Sequence, residues 1–146
     1  MRLLLDAMCG GLRSYLRLCG HDTAYVLDRF DGDAPADDAI AALARTENRR
    51  LVTRDVALAG RTEDALLVES REVAGQLREL RAAGVALRPA EPTYCGRCNG
   101  RLERLEGDPA EYVPDDVGAV WACVDCGQQF WKGSHWDRMR ETLAGL

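Results

Sequence analysis

Four cysteines stand in two pairs, Cys95-Gly-Arg-Cys98 and Cys123-Val-Asp-Cys126. Each pair is followed by residues that tolerate a left-handed backbone, Asn99-Gly100 and Gly127. A turn that aims peptide N–H groups at thiolate sulfur needs such residues. The pattern reads as a zinc ribbon, in which four thiolates fix a tetrahedral Zn²⁺ and supply folding free energy to a segment too short for a core of its own. Such a site is closed, so its role is structural. Two disulfides or a redox pair are the other reading, disfavoured in a chain that shows no secretion signal.

A second chemistry is carried by carboxylates. Asp6, Asp28, Asp55 and Glu69 each fall at the end of an expected strand, and Asp37-Asp38 opens a helical pattern. Acids that converge in a cleft repel one another unless divalent cations neutralise them. Mg²⁺ or Mn²⁺ held that way can polarise a phosphodiester and generate hydroxide. Asp6, Asp38 and Asp55 are the candidate catalytic and Mg/Mn ligands. Asp38 or Asp37 can equally cap a helix, and Asp55 can cap one that begins at Val56. Arg54, with Arg13 and Arg17 one helical turn apart, are candidate phosphate contacts, a solvated helix face being the alternative for the last two. Thr53 or Ser14 can orient a water or metal ligand in the same cleft. His135 and His21 read as structural, so an imidazole acid–base pair is not expected.

Positioning these groups requires elements. Leu3-Leu4-Leu5 reads as a buried parallel strand that delivers Asp6. A Gly10-Gly11 turn leads to a helix with Leu12, Tyr15, Leu16 and Cys19 on one stripe, ended by Gly20. Further strands are expected at 24–27, 51–53 and 66–68, with an edge strand at 85–87. Helices are expected from Pro35-Ala36-Asp37-Asp38 and over Val73, Leu77 and Leu80. Alternating strands and helices imply an α/β fold with a mostly parallel sheet, whose ligands bind at the carboxyl ends of the strands. From about residue 93 the period changes to hairpins around the cysteines. Phe130, Trp131 and Trp136 are expected to pack them onto the first domain, and a short helix is expected over roughly 136–144. The expected division is 1–90 and 91–146.

A chain of 146 residues, 47% hydrophobic, has material for one good core and a small satellite. Net charge is −5, of which −4 falls on residues 91–146, so RNA or any polyanion needs a local Arg patch or bound metal. Lys132 is the single lysine, which excludes P-loop and receiver-type phosphate chemistry in the first domain. No apolar run reaches bilayer length, and the N-terminus meets Asp6 at once, so a soluble cytoplasmic protein without a membrane partner is expected.

The stretch from Asp6 through Cys9-Gly-Gly-Leu12 to Asp22, Asp38 ahead of a helix, Arg50-Leu-Val-Thr-Arg-Asp55, and the tail Cys123-Val-Asp-Cys126 with Trp131-Lys-Gly-Ser-His-Trp136 resemble the Mut7-C RNase family in order and over nearly the whole chain. The resemblance implies a three-layer PIN-like nuclease domain followed by a zinc ribbon, and metal-dependent cleavage of RNA. It puts Asp6, Asp38 and Asp55 at the family's acidic positions, with Asp37 one residue from the better-fitting Asp38. Cys9 and Cys19 depart from the family's usual leucine. The competing reading is a non-catalytic adaptor whose zinc ribbon binds RNA or a protein partner.

Overall fold

The computed structural model describes all residues from Met1 to Leu146. Leu3, Leu4 and Leu5 are fully buried because their strand, β1 (Arg2–Leu5), lies inside a parallel sheet covered on both faces. Its partners are β2 (Asp22–Tyr25), β3 (Arg50–Thr53) and β4 (Leu66–Leu67), in the order β2-β1-β3-β4. Alternation along β1 divides the core. Leu3 and Leu5 join Leu12, Leu16, Leu77 and Leu80 under α1 (Arg13–Leu18) and α5 (Val73–Ala82). Leu4, with Ala24 and Leu51, faces the opposite way onto Ile40 and Ala44 of α3 (Asp37–Thr46) and Leu58 of α4 (Val56–Gly60). Helices therefore cover both faces of the sheet.

Strand 24–27 is shifted: β2 ends at Tyr25, and Val26 and Leu27 enter a short helix, α2 (Val26–Arg29). Asp28 is thus not at a strand end. The Gly10-Gly11 turn is a 3₁₀ segment, Ala7–Leu12, that runs directly into α1. No strand forms at 85–87, although Val85 and Leu87 are buried. Their apolar alternation reflects packing of a strap beneath α5 rather than strand pairing. Cys9 and Cys19 are both core residues.

A second, antiparallel sheet comprises β5 (Leu102–Arg104), β6 (Val120–Cys123) and β7 (Gln129–Trp131). Helix α6 (Ser134–Ala144) then returns to the first sheet's core through Leu143. The two parts also meet along the outer edge of β2. There the Thr23 N–H donates to Asn99 Oδ1 at 2.9 Å, and the Thr23 carbonyl accepts from Nε and Nη2 of Arg17. Arg17 Nη1 also donates to the Gly96 carbonyl. Both outward peptide groups of this buried edge residue are thereby satisfied, as a sheet edge requires.

At the amino ends of the strands, Arg49 is nearly buried. It donates to the Leu3 and Asp22 carbonyls, to Asp22 Oδ1 and to Glu47 Oε1. Arg29 also donates to Glu47. The hydrogen bond from Arg29, then that from Arg49, brings the Glu47 carboxyl down to about 2 against the pull of partial burial. Burial pushes Asp22 up, but its bonds to Arg49 and Asn99 outweigh this and hold it below the usual range.

Two outcomes follow. Asn99→Ala leaves the Thr23 N–H unpaired and is expected to lower stability by about 1–3 kcal/mol in denaturant unfolding. Because Glu47 and Asp22 have depressed folded values, their contribution is complete above the unfolded carboxylate range near 4.3 and declines as pH falls toward 2. Glu47→Gln is expected to be less stable at neutral pH and to lose stability less steeply across that window, read by thermal melts at equal metal content.

Candidate functional site

β1 and β3 are neighbours, yet the chain leaves them on opposite faces of the sheet, toward α1 after one and α4 after the other. This is the switch point of an open parallel sheet, where a crevice forms at the carboxyl ends. Asp6 and Asp55 are the residues that the two strands deliver there. Thr53 Oγ1 donates to Asp6 Oδ2 at 2.6 Å and accepts the Asp55 N–H at 3.0 Å. Asp6 Oδ1 accepts the Ala7 N–H at 2.8 Å, so the start of the 3₁₀ segment fixes its rotamer. Asp55 caps α4, its Oδ1 accepting the Leu58 N–H at 3.1 Å. Capping engages one oxygen and leaves the second, so it coexists with a ligand role. Thr53 is fully buried, and the pair it joins is held by the scaffold rather than by loops.

Asp38 lies apart from this pair. Its side chain is 88% exposed and pairs with Arg61 Nη1 at 3.4 Å, while Asp37 is 3.9 Å from the same nitrogen. Both acids sit in the first turn of α3, whose N-cap is Ala36, so neither is the cap. Among His, Cys, Asp and Glu, the side chains that gather three or more ligand atoms within 4.8 Å of one another are the four cysteines.

The arginines divide. Arg54 is half-buried beside Asp55. Its Nη2 reaches the Glu69 carbonyl at 3.4 Å and its buried Nε has no partner. Burial, and then the charge of Asp6, push the Cys9 thiol up to about 12 while Arg54 pulls it down, which places both charges around that thiol. Arg13 donates to the Gly10 carbonyl and lies 4.5 Å from the centre of the Tyr25 ring, with Asp28 4.0 Å away. The Tyr25 hydroxyl donates to the Ala7 carbonyl, next to Asp6. Arg17, expected to face phosphate, is instead 2% exposed and occupied by Thr23 and Gly96. Nothing in the helical spacing of Arg13 and Arg17 separates a bridge to another part of the chain from a solvated face. His21 is buried, its Nε2 2.6 Å from the Ala86 carbonyl, and burial lowers its proton affinity. His135 is exposed.

Cys95 and Cys126 sulfurs are 3.7 Å apart, and those of Cys98 and Cys123 3.5 Å. A Zn–S length near 2.3 Å sets a tetrahedral edge of about 3.8 Å, so the donor set fits one ion. Peptide N–H groups of Arg97, Gly100 and Asp125 point at Cys95, Cys98 and Cys123 sulfur, each at 3.4 Å. Asn99 and Gly127 take the positive φ values, 69° and 77°, that shape these turns. A Cβ on Gly100 would lie 2.7 Å from Cys123 Sγ and 2.6 Å from Asp125 Oδ2. Four thiolates placed this way could bind zinc. Asn99 is the residue that sequence reasoning read only as a turn. Its amide also donates to Asp22 Oδ1 at 2.7 Å, tying the turn to β2.

No helix is long and apolar enough to cross a membrane. Neither a curated protein nor a solved structure gives a match to this chain. A family model described as the Mut7-C RNAse domain matches residues 1–143, spanning both sheets and nearly all of α6. At family level that implies a ribonuclease role with RNA as substrate, and the chain belongs to the Mut7-C RNAse domain family.

Proposed function

We propose that this protein is a metal-dependent ribonuclease of PIN-like architecture, with residues 1–90 forming the nuclease domain and residues 91–146 a zinc ribbon ending in α6. The observation that carries the reading is the Asp6/Thr53/Asp55 linkage at the sheet's switch point. Hard carboxylate oxygens suit Mg²⁺ or Mn²⁺, and when bound such an ion would polarise the phosphodiester and acidify a water. Asp6 and Asp55 supply the ligand oxygens, and Thr53 orients both residues. Asp38 is assigned as the third acid, released from Arg61 as the site closes on its substrate. Arg54, with its unpaired Nε, and Arg13 face phosphate. Arg17 is assigned to hold the ribbon against β2. Zinc on Cys95, Cys98, Cys123 and Cys126 is structural, its four positions filled by protein sulfur.

The adaptor reading, an inert acidic cleft with a ribbon that binds RNA or a protein, is favoured by one observation: the acids do not form a three-ligand group as the cysteines do. Cleavage of end-labelled RNA by zinc-loaded protein with Mn²⁺ or Mg²⁺ separates the two. Asp6→Asn and Asp55→Asn are each expected to lower the rate by roughly 100-fold or more, because metal polarisation contributes several kcal/mol. Thr53→Val is expected to lower it about tenfold, with zinc content unchanged. An Asp6→Asn/Asp55→Asn double variant that cleaves at the wild-type rate would remove the ribonuclease reading. In Gly100→Ala the added methyl group displaces Cys123 or Asp125. It is expected to reduce bound zinc, measured by metal analysis after dialysis, and to lower the melting temperature.

A further inference from the structure

Between α1 and the second sheet lies an open groove of about 480 Å³, within the size range of ligand sites. Its walls hold Tyr94, Phe130, Trp131 and Trp136, four of the nine Phe, Tyr and Trp residues in the chain. All four are half-buried rather than sealed. The expected packing of the last three against the first domain therefore leaves an open aromatic wall. Leu143, from the far end of α6, supplies the contact that closes on the first sheet's core.

We propose that this groove binds the unpaired bases of single-stranded RNA and leads the strand to Asp6 and Asp55. The inference rests on the ribonuclease reading and names how its substrate is held. Three features select RNA as the occupant. Aromatic faces open to solvent stack bases of any sequence. The lining contains one exposed cation, Arg97, and no carboxylate, although residues 91–146 carry net charge −4. At the rim, Lys132 and Arg140 both lie 5.3 Å from the centre of the Trp136 ring. Glu91 and Asp137 partly neutralise them, so Arg97, exposed and free of a carboxylate partner, is the stronger phosphate contact.

The helix that lines the groove also starts beside the acidic end of the sheet. Ser14 and Leu18 of α1 line the groove. Arg13, the first residue of that helix, lies over Tyr25, which bonds to the residue after Asp6. A strand stacked in the groove thus runs along α1 toward the Asp6/Thr53/Asp55 cluster, past Arg13.

The test is fluorescence anisotropy of a labelled oligouridine with zinc-loaded full-length protein, without added Mg²⁺ or Mn²⁺, beside a separate cleavage assay. Trp136→Ala and Arg97→Glu are each expected to weaken binding, the former on the order of tenfold to a hundredfold, as loss of a stacked base implies. Trp136→Phe is expected to retain most of the affinity. Circular dichroism and zinc content check that the variants are folded. Arg97→Glu, on an exposed side chain, keeps the test open should Trp136→Ala unfold. Binding within about twofold of wild type in both Trp136→Ala and Arg97→Glu overturns the groove as the RNA site, whatever the cleavage result. Wild-type protein that does not bind the oligouridine, while an aromatic-rich peptide quenches its tryptophans, also overturns it and makes the groove a protein-docking site. Groove variants that lose RNA binding in a protein with no metal-dependent cleavage support the groove and remove the ribonuclease reading.

Discussion

The outer edge of β2 is the constraint from which the arrangement of this protein follows. A parallel sheet built from βαβ units ends in strands with unpaired peptide groups, and Thr23, fully buried, cannot turn its groups to water. They are satisfied by two side chains from different places, Asn99 beyond the first cysteine pair and Arg17 on α1. Arg17 then reaches Gly96, inside that pair. The first cysteine turn is thereby tied to the sheet. Asn99 is held left-handed by the turn that aims N–H groups at sulfur, and the same amide engages Asp22, which in turn pairs with Arg49 beneath the strands. The first cysteine turn is consequently an edge cover as well as half of a cluster that could bind zinc.

The two ends of the first sheet are built for different purposes. At the amino ends, Arg49 gathers carbonyls and two carboxylates in a nearly saturated network. It is costly to disturb, because breaking one member leaves a buried charge unpaired. At the carboxyl ends, Asp6 accepts from the Ala7 N–H and the Thr53 hydroxyl and Asp55 from the Leu58 N–H, and both carboxylates retain lone pairs. Chemistry needs such unsaturated but fixed groups. The departure of α1 and α4 to opposite faces keeps helices from closing over them.

Much of this was legible in the sequence, for reasons that can be named. Leu3-Leu4-Leu5 ending in Asp6 can be little other than a doubly covered strand. The cysteine spacing with its left-handed residues specifies local turns whatever surrounds them. Legibility failed where tertiary partners decide. Val26 and Leu27 are apolar in either a strand or a helical turn, and the choice falls to packing, Val26 joining Ile40 and Ala44 while Leu27 packs against the core on the other face. Val85 and Leu87 are buried without a strand partner. Arg17 and Arg13 share a helix face and composition, yet one is a buried bridge and the other lies over Tyr25. Asp38, read with Asp6 and Asp55, stands apart and pairs instead with Arg61, eight residues beyond the end of β3.

An acidic protein that binds RNA must place its few cations with economy. A broad basic surface would give affinity through counterion release and a steep salt dependence, but 24 acidic against 19 basic residues do not permit one. The arginines near the proposed path are local: Arg54 and Arg13 at the acidic end, Arg97 in the groove. With so few phosphate contacts, binding has to draw on forces that salt screens poorly. On the proposed path, stacking on Tyr94, Phe130, Trp131 and Trp136 would be one such force, and a metal ion held by Asp6 and Asp55 the other. Repulsion from the remaining carboxylates then favours unpaired strands, which can splay bases into a groove while holding phosphates away, over a duplex that presents two charged backbones at fixed spacing.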